Sequence, residues 1–219
     1  MSAREVTRHN ILNTDIYCLT AEKFSLGRSN IEVVRAMLDN GIKLVQYREK
    51  EKKMGAKLEE CLELRRMTRE VGAAFIINDD IDLAMLVDAD GVHVGQDDLP
   101  IEAVRKLVGD DMAIGLSTHK PEEAHDAIKR GADYIGVGPI FRTFTKEDVC
   151  DPVGFEYLEY VAGNADIPFV AIGGIKEHNV ADVVRRGASC VALVTEIVEA
   201  ENIGEKINAL RQTMQSAKE

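Results

Sequence analysis

Eight short runs rich in β-branched and apolar residues recur along the chain, and each is followed by a longer stretch of mixed charge that reads as a helix. This alternation constrains the fold more than any other feature. Strands joined by helices are parallel, because a parallel pair needs a crossover connection long enough to hold one. The runs are "DIYCLTA", "KLVQYRE", "AFIIN", "GVHVGQ", "AIGLST", "YIGVGPI", "FVAIGGI" and "CVALVTEI", beginning at Asp15, Lys43, Ala74, Gly91, Ala113, Tyr134, Phe169 and Cys190. Between them, apolar residues recur at three and four among Lys, Arg and Glu, most regularly over Glu59 to Val71 and Pro121 to Arg130, as amphipathic helices require. The junctions "DNGIKLV", "KRGADYIGV" and "RRGASCVAL" each place Gly between a polar helix end and an apolar strand, where a left-handed residue stops the helix. Eight units of this kind predict an α/β fold, a (β/α)8 TIM barrel in a single domain, over residues 15–219, with residues 1–14 as an N-terminal extension. An open doubly wound sheet is the alternative, but no G-x-G-x-x-G follows the first strand. The chain has 219 residues, 45% of them hydrophobic, enough to bury the core of one such domain.

Charge narrows the partners. A formal net charge of -11 argues against nucleic acid or an anionic membrane, since both reward a basic surface, and leaves small molecules as the expected partners. An anionic substrate must then be met by locally clustered cations. Cys18, Cys61, Cys150 and Cys190 show no C-x-x-C spacing and read as reduced thiols. The opening "MSAREVTRHN" lacks the apolar core of a secretion signal, so a cytoplasmic protein is expected.

In a barrel of this type the site lies at the C-terminal ends of the strands. The stretch "GIKLVQYREK" turns polar there: Leu44, Gln46, Arg48 and Lys50 share one face, while Val45, Tyr47 and Glu49 share the other. One alternative is a solvated strand end; the other is an anion site. The remaining strand ends carry "INDD", "GQDD", "GLSTHK", "GPIFRTFTK", "IGGI" and "LVTE", so polar chemistry gathers at one face of the expected barrel.

Asp79 and Asp98 offer hard oxygen donors suited to Mg2+, which is commonly held by one or two carboxylates with water and phosphate oxygens completing its shell. Either could instead cap a helix, a role that suits Asp80 and Asp97 better. Arg48, Lys50 and Lys146 supply positive charge. A unit pair at about 4 Å and an effective dielectric near 20 is worth roughly 4 kcal/mol before desolvation, so such a cluster can hold a diphosphate. Gly173 and Gly174, with Thr195 after the eighth strand, sit where barrels bind phosphate through backbone N–H groups, or else they form a tight turn. His93 lies mid-strand and reads as a hydrogen-bonded residue inside the barrel; His119, just past Ser117, is a proton-transfer candidate. The connection "FRTFTKEDVCDP" is long for its place and is expected to act as a lid.

Taken in order, "VQYREK", "INDD", "ADGVHVGQDDLP", "GLSTH", "ADYIGVGPIFRTFTK", "AIGGI" and "VALVTEI" resemble the thiamine phosphate synthase family from the second strand to the last. The resemblance implies a barrel that joins a hydroxymethylpyrimidine diphosphate to a thiazole phosphate, with magnesium, to give thiamine monophosphate and pyrophosphate. It implies that Gln46, Arg48, Lys50, Asn78, Ser117 and Lys146 hold the pyrimidine diphosphate and that Asp79 and Asp98 hold the metal. Thr143, Phe144, Thr145, Gly174, Val194 and Thr195 would face the thiazole phosphate, and Lys146 and Ser117 would serve catalysis. It further implies a carbocation-like pyrimidine and no nucleophilic side chain. Phe144 stands where a smaller or polar residue is expected, and Thr195 where serine is usual. A thiazole tautomerase of the same barrel family, using His119 as acid or base, has no clear need for the diphosphate set. A silent phosphate-binding sensor would bind thiazole phosphate and release nothing.

Overall fold

A computed structural model describes residues 2–145 and 150–218. Eight strands, β1 (Ile16–Leu19), β2 (Leu44–Tyr47), β3 (Ala74–Asn78), β4 (Gly91–Val94), β5 (Ala113–Thr118), β6 (Tyr134–Val137), β7 (Phe169–Ile172) and β8 (Val191–Leu193), close into a barrel in sequence order. All neighbouring pairs are parallel, and β8 closes on β1 through Ile16 opposite Val191. The helices are α1 (Ala3–Asn13), α2 (Asn30–Asp39), α3 (Met54–Glu70), α4 (Ile81–Leu86), α5 (Ile101–Val108), α6 (Pro121–Lys129), α7 (Gly154–Asn164), α8 (Val180–Arg185), α9 (Thr195–Val198) and α10 (Ile203–Ser216). Five of the eight strands begin on the predicted residue, and β1, β2 and β8 begin one later, after Asp15, Lys43 and Cys190.

Local chemistry sets the boundaries. Ser2 with Glu5 and Ser29 with Glu32 form reciprocal capping boxes at the starts of α1 and α2, each satisfying two otherwise orphaned N–H groups. The junction glycines Gly41, Gly131 and Gly187 have φ of 75°, 89° and 98°, the left-handed turn that ends a helix before the next strand.

Two apolar layers result from strand alternation. Val45, Phe75, Val92, Ile114, Ile135 and Ala171 point outward under the helices, while Tyr17, Leu44, Ala74, Ile76, Tyr134 and Val170 fill the barrel. The extension becomes α1, which lies across the N-terminal ends of the strands. Ile11 joins the interior cluster, Thr7 Oγ1 donates to the Asp90 carbonyl and Asn10 Nδ2 to the Lys43 carbonyl. The barrel is therefore floored at one end and open at the other.

Candidate active site

At the open end, Arg48 and Lys50 follow the last residue of β2. Among the described residues two cavities open there, one of about 850 Å³ and one of about 700 Å³, and Phe24, Arg48 and Thr145 line both. The smaller cavity also takes Ser117, His119, Thr143, Phe144, Gly174, Val194 and Thr195. All six residues predicted for the thiazole side are thus gathered around one space with Ser117 and Arg48. Lys146 lies outside the described residues, directly after Thr145.

The Arg48 guanidinium makes no hydrogen bond or ion pair among the described residues; only its backbone N–H is engaged, donating to Thr20 Oγ1 at 2.9 Å. Burial pushes its pKa down from arginine's ordinary value, and the fields of Asp79 and Glu49 only partly oppose this. Lys50 is ion-paired with Asp79. Asp79 itself stands at φ 60°, a left-handed conformation uncommon outside glycine, and its N–H donates to the His93 carbonyl at 2.9 Å. Asp98 turns back in its loop, where Oδ2 accepts from the Gly95 N–H at 2.7 Å. Asp80 occupies the N-cap of α4 without a side-chain cap bond and accepts from Lys57 Nζ at 2.6 Å.

No cluster of three or more His, Cys, Asp or Glu suited to a metal occurs among the described residues. Magnesium does not need one, because one or two carboxylates suffice when phosphate oxygens and water complete the octahedron. The donor set of Asp79 and Asp98 therefore fits an ion that arrives with a diphosphate.

Gln46 and Ser117 do not meet directly. They are the ends of a hydrogen-bonded chain across the barrel: Gln46 Nε2 donates to the Tyr17 hydroxyl at 2.8 Å, which lies 3.2 Å from the Tyr134 hydroxyl. The Tyr134 hydroxyl lies 3.0 Å from His93 Nδ1, and His93 Nε2 lies 2.9 Å from Ser117 Oγ. Burial pushes both phenols above the usual tyrosine range, so the chain carries hydrogen bonds and no negative charge. His93 is thus a hydrogen-bonded residue inside the barrel, as its mid-strand place predicts. The tyrosines escaped sequence reasoning because their rings satisfy the apolar pattern and conceal where the hydroxyls point. Asn78 ends β3 half-buried.

The glycines do two jobs. Gly173 and Gly174 have φ of 100° and 63°, and a Cβ on Gly174 would lie 2.6 Å from the Arg142 carbonyl oxygen. The segment after β6 is held against this turn, with Ile140 N–H donating to the Ile172 carbonyl and Phe141 N–H to the Gly173 carbonyl, each at 2.9 Å. The turn reading and the cavity position therefore coexist. Beside it, Lys176 Nζ donates to Thr195 Oγ1 at 3.0 Å and pairs with Glu196 at 3.3 Å. Lys176 was missed in the sequence, although "AIGGIK" places a cation one residue past the motif. Phe144 is 82% exposed, with the Arg142 guanidinium 5.4 Å from its ring centre, so it does not crowd the loop interior. His119 Nδ1 donates to the Gly138 carbonyl oxygen at 2.6 Å, which orients the ring at the cavity wall.

Comparison with known proteins bears on the family. A family model described as thiamine monophosphate synthase matches residues 16–197. The thiamine-phosphate synthase of Pelotomaculum thermopropionicum is 66% identical over 201 residues, covering 92% of each chain. That of Caldicellulosiruptor saccharolyticus is 56% identical over 196 residues, covering 90% of this chain and 89% of the relative. The solved thiamine phosphate pyrophosphorylase from Pyrococcus furiosus superposes with a TM-score of 0.86 at 32% identity, covering 96% of this chain and 98% of that one. With a closed eight-stranded barrel, a cation-lined mouth and matches of this length, the chain belongs to the thiamine monophosphate synthase family of transferases.

Proposed function

We propose that the chain joins a hydroxymethylpyrimidine diphosphate to a thiazole phosphate, with Arg48, Lys50 and Lys146 gripping the diphosphate. The observation that carries this reading is the half-buried Arg48 guanidinium, which faces both cavities without a carboxylate partner among the described residues. A charge is rarely desolvated without compensation, and in a chain of net charge -11 acidic partners are plentiful. An arginine left without one is matched to an anion that arrives from outside.

In the reaction, the thiazole ring nitrogen forms a C–N bond to the pyrimidine methylene carbon as the C–O bond to pyrophosphate breaks. Negative charge grows on the leaving oxygens, so the protein's task is to place donors there beforehand. Arg48 and Lys50 bind and orient the diphosphate from β2, and Lys146 approaches from the connection after β6. Gln46, Asn78 and Ser117 hold the pyrimidine ring, with Ser117 fixed through His93. Thr143, Phe144 and Thr145, Gly174, Val194 and Thr195 bound the thiazole phosphate, and Lys176 adds charge to that side. Asp79 and Asp98 would hold a magnesium ion, which when bound supplies further neutralisation of the leaving group. Among the described residues no helix is long and apolar enough to cross a membrane, and Cys18, Cys61 and Cys190 are buried thiols, in keeping with work in the cytoplasm.

A pyrophosphate-release assay with both substrates tests the reading. Release should require both substrates, cease in EDTA and return with magnesium. Release from neither substrate pair, or full activity in chelator, would remove the coupling or the metal assignment respectively.

A further inference from the structure

The segment "REKEKK", residues 48–53, reads as a solvated charge run, yet the structure divides it. Arg48 and Lys50 lie past the last residue of β2, so no sheet ladder holds their backbone. Strict alternation would put Lys52 on their side. Its ammonium is instead taken up by Glu22 and Glu60, because the extended conformation has already ended.

Lys52 Nζ donates to Glu22 Oε2 at 2.6 Å and to Glu60 at 2.8 and 3.0 Å. Glu60 also accepts from the Tyr47 hydroxyl at 2.6 Å and from Asn30 Nδ2 at 3.1 Å. Glu49 accepts from the Glu22 N–H and from Asn30 Nδ2, each at 2.9 Å. Four parts of the mouth meet here: the segment after β1, the start of α2, the exit of β2, and α3. The Glu60 side chain is 11% exposed, so these bonds are little weakened by solvent. Tyr47, Glu49 and Lys52 are thus tied to one side of the segment. Arg48 and Lys50, interleaved between them, take no part in this network, although Glu49 and Lys52 share the wall of the larger cavity with them.

We propose that Lys52 and Glu60 are positioning residues for the diphosphate clamp: their ion pair fixes the exit of β2 so that Arg48 and Lys50 face the bound anion. This rests on the reading of Arg48 as an anion ligand. Glu60 gives the proposal a sign of its own. As a bare negative charge near an anion site it opposes binding, so its neutralisation would tighten the anion; as a positioning group its loss weakens it.

Affinity for inorganic pyrophosphate with magnesium, measured calorimetrically on Lys52→Met, Glu60→Gln and the double variant, separates these, with melting temperature recorded for each. Supporting groups behind a binding site typically cost about 10- to 100-fold when removed, so each single variant should raise the Kd roughly tenfold. The double variant should be no worse than the poorer single, because both changes break one unit. The KM for thiazole phosphate should stay within about twofold. Tighter or unchanged pyrophosphate binding in Glu60→Gln overturns the proposal, as does a parallel rise in the thiazole KM, which marks a general loss of structure. Arg48→Gln is the control: if it leaves pyrophosphate affinity unchanged, the anion reading fails, whereas a loss there with none in Glu60→Gln fails the positioning role alone.

Discussion

The two ends of the barrel use the same charged residues in opposite ways. At the floor, aspartates stand immediately before β1, β4 and β6, and each is matched. Asp15 accepts from Arg211 Nε at 2.9 Å, and Asp90 accepts from Arg65 at 2.6 and 3.0 Å and from the Phe75 N–H at 2.8 Å. Asp133, 0% exposed, accepts from Arg4, from Arg105 Nη2 at 2.7 Å and from the Ile114 N–H at 2.9 Å. At the mouth, Arg48 is desolvated with no such partner among the described residues. Closed ion pairs specify which helix covers which strand; an open one stores binding capacity. If Arg48 holds the diphosphate as proposed, a partner supplied by the fold would compete with that ligand.

The largest effect of a single substitution is expected at the floor. Asp133→Ala leaves Arg4, Arg105 and the Ile114 N–H facing a void, and removal of one partner from a buried ionic group typically costs about 3–5 kcal/mol. Thermal denaturation should show a fall of roughly 10 °C or more, while the KM values of the folded fraction stay near wild type. A loss of affinity without a loss of stability would mean that the floor and the mouth are not separate.

Lys146, though outside the described residues, should show the reverse pattern. Lys146→Ala is expected to lower the single-turnover rate by about a hundredfold, as loss of one preorganised charge at a leaving group typically does, with a much smaller shift in the Kd of the pyrimidine diphosphate. Collapsed binding with a surviving rate at saturation would make it an anchor instead. Arg48→Gln comes next. A charge-assisted bond is worth about 1.5–3 kcal/mol, so affinity for the pyrimidine diphosphate should fall roughly 10- to 100-fold. Its melting temperature should hold or rise, since a desolvated charge is removed; a marked fall would mean that the fold itself matches the Arg48 charge.

The smallest effect is expected at the glycine side of the mouth. Thr195→Val removes the acceptor of the Lys176 bond with little change in volume. The KM for thiazole phosphate should rise about five- to tenfold, in line with one hydrogen bond of roughly 1 kcal/mol, and that for the pyrimidine diphosphate should not move. A reversed split would exchange the two anion sites.

Much of this was legible before any coordinates. Periodicity of two in short runs and of three to four between them fixes strands and helices locally, so the barrel, its strand starts and the glycine-ended helices follow from neighbours in sequence. The end of β2 was legible for the same reason: alternation alone places Gln46 and Arg48 on one face. The limit of that rule is Lys52, where the strand had ended and a helix and two loops decided its direction. Lys176 was overlooked because its meaning depends on Thr195, which lies on the next unit.

By itself, then, the sequence determined the eight-unit barrel, the end at which polar residues gather, and the family. The tertiary structure alone decided that residues 3–13 floor the barrel, that Tyr17, Tyr134 and His93 link Gln46 to Ser117, and that Arg48 keeps its charge unmatched while three aspartates do not. The division has a physical cause. Backbone periodicity and capping act over a few residues and are written in local order, whereas hydrogen bonds between buried side chains depend on which units closure brings together.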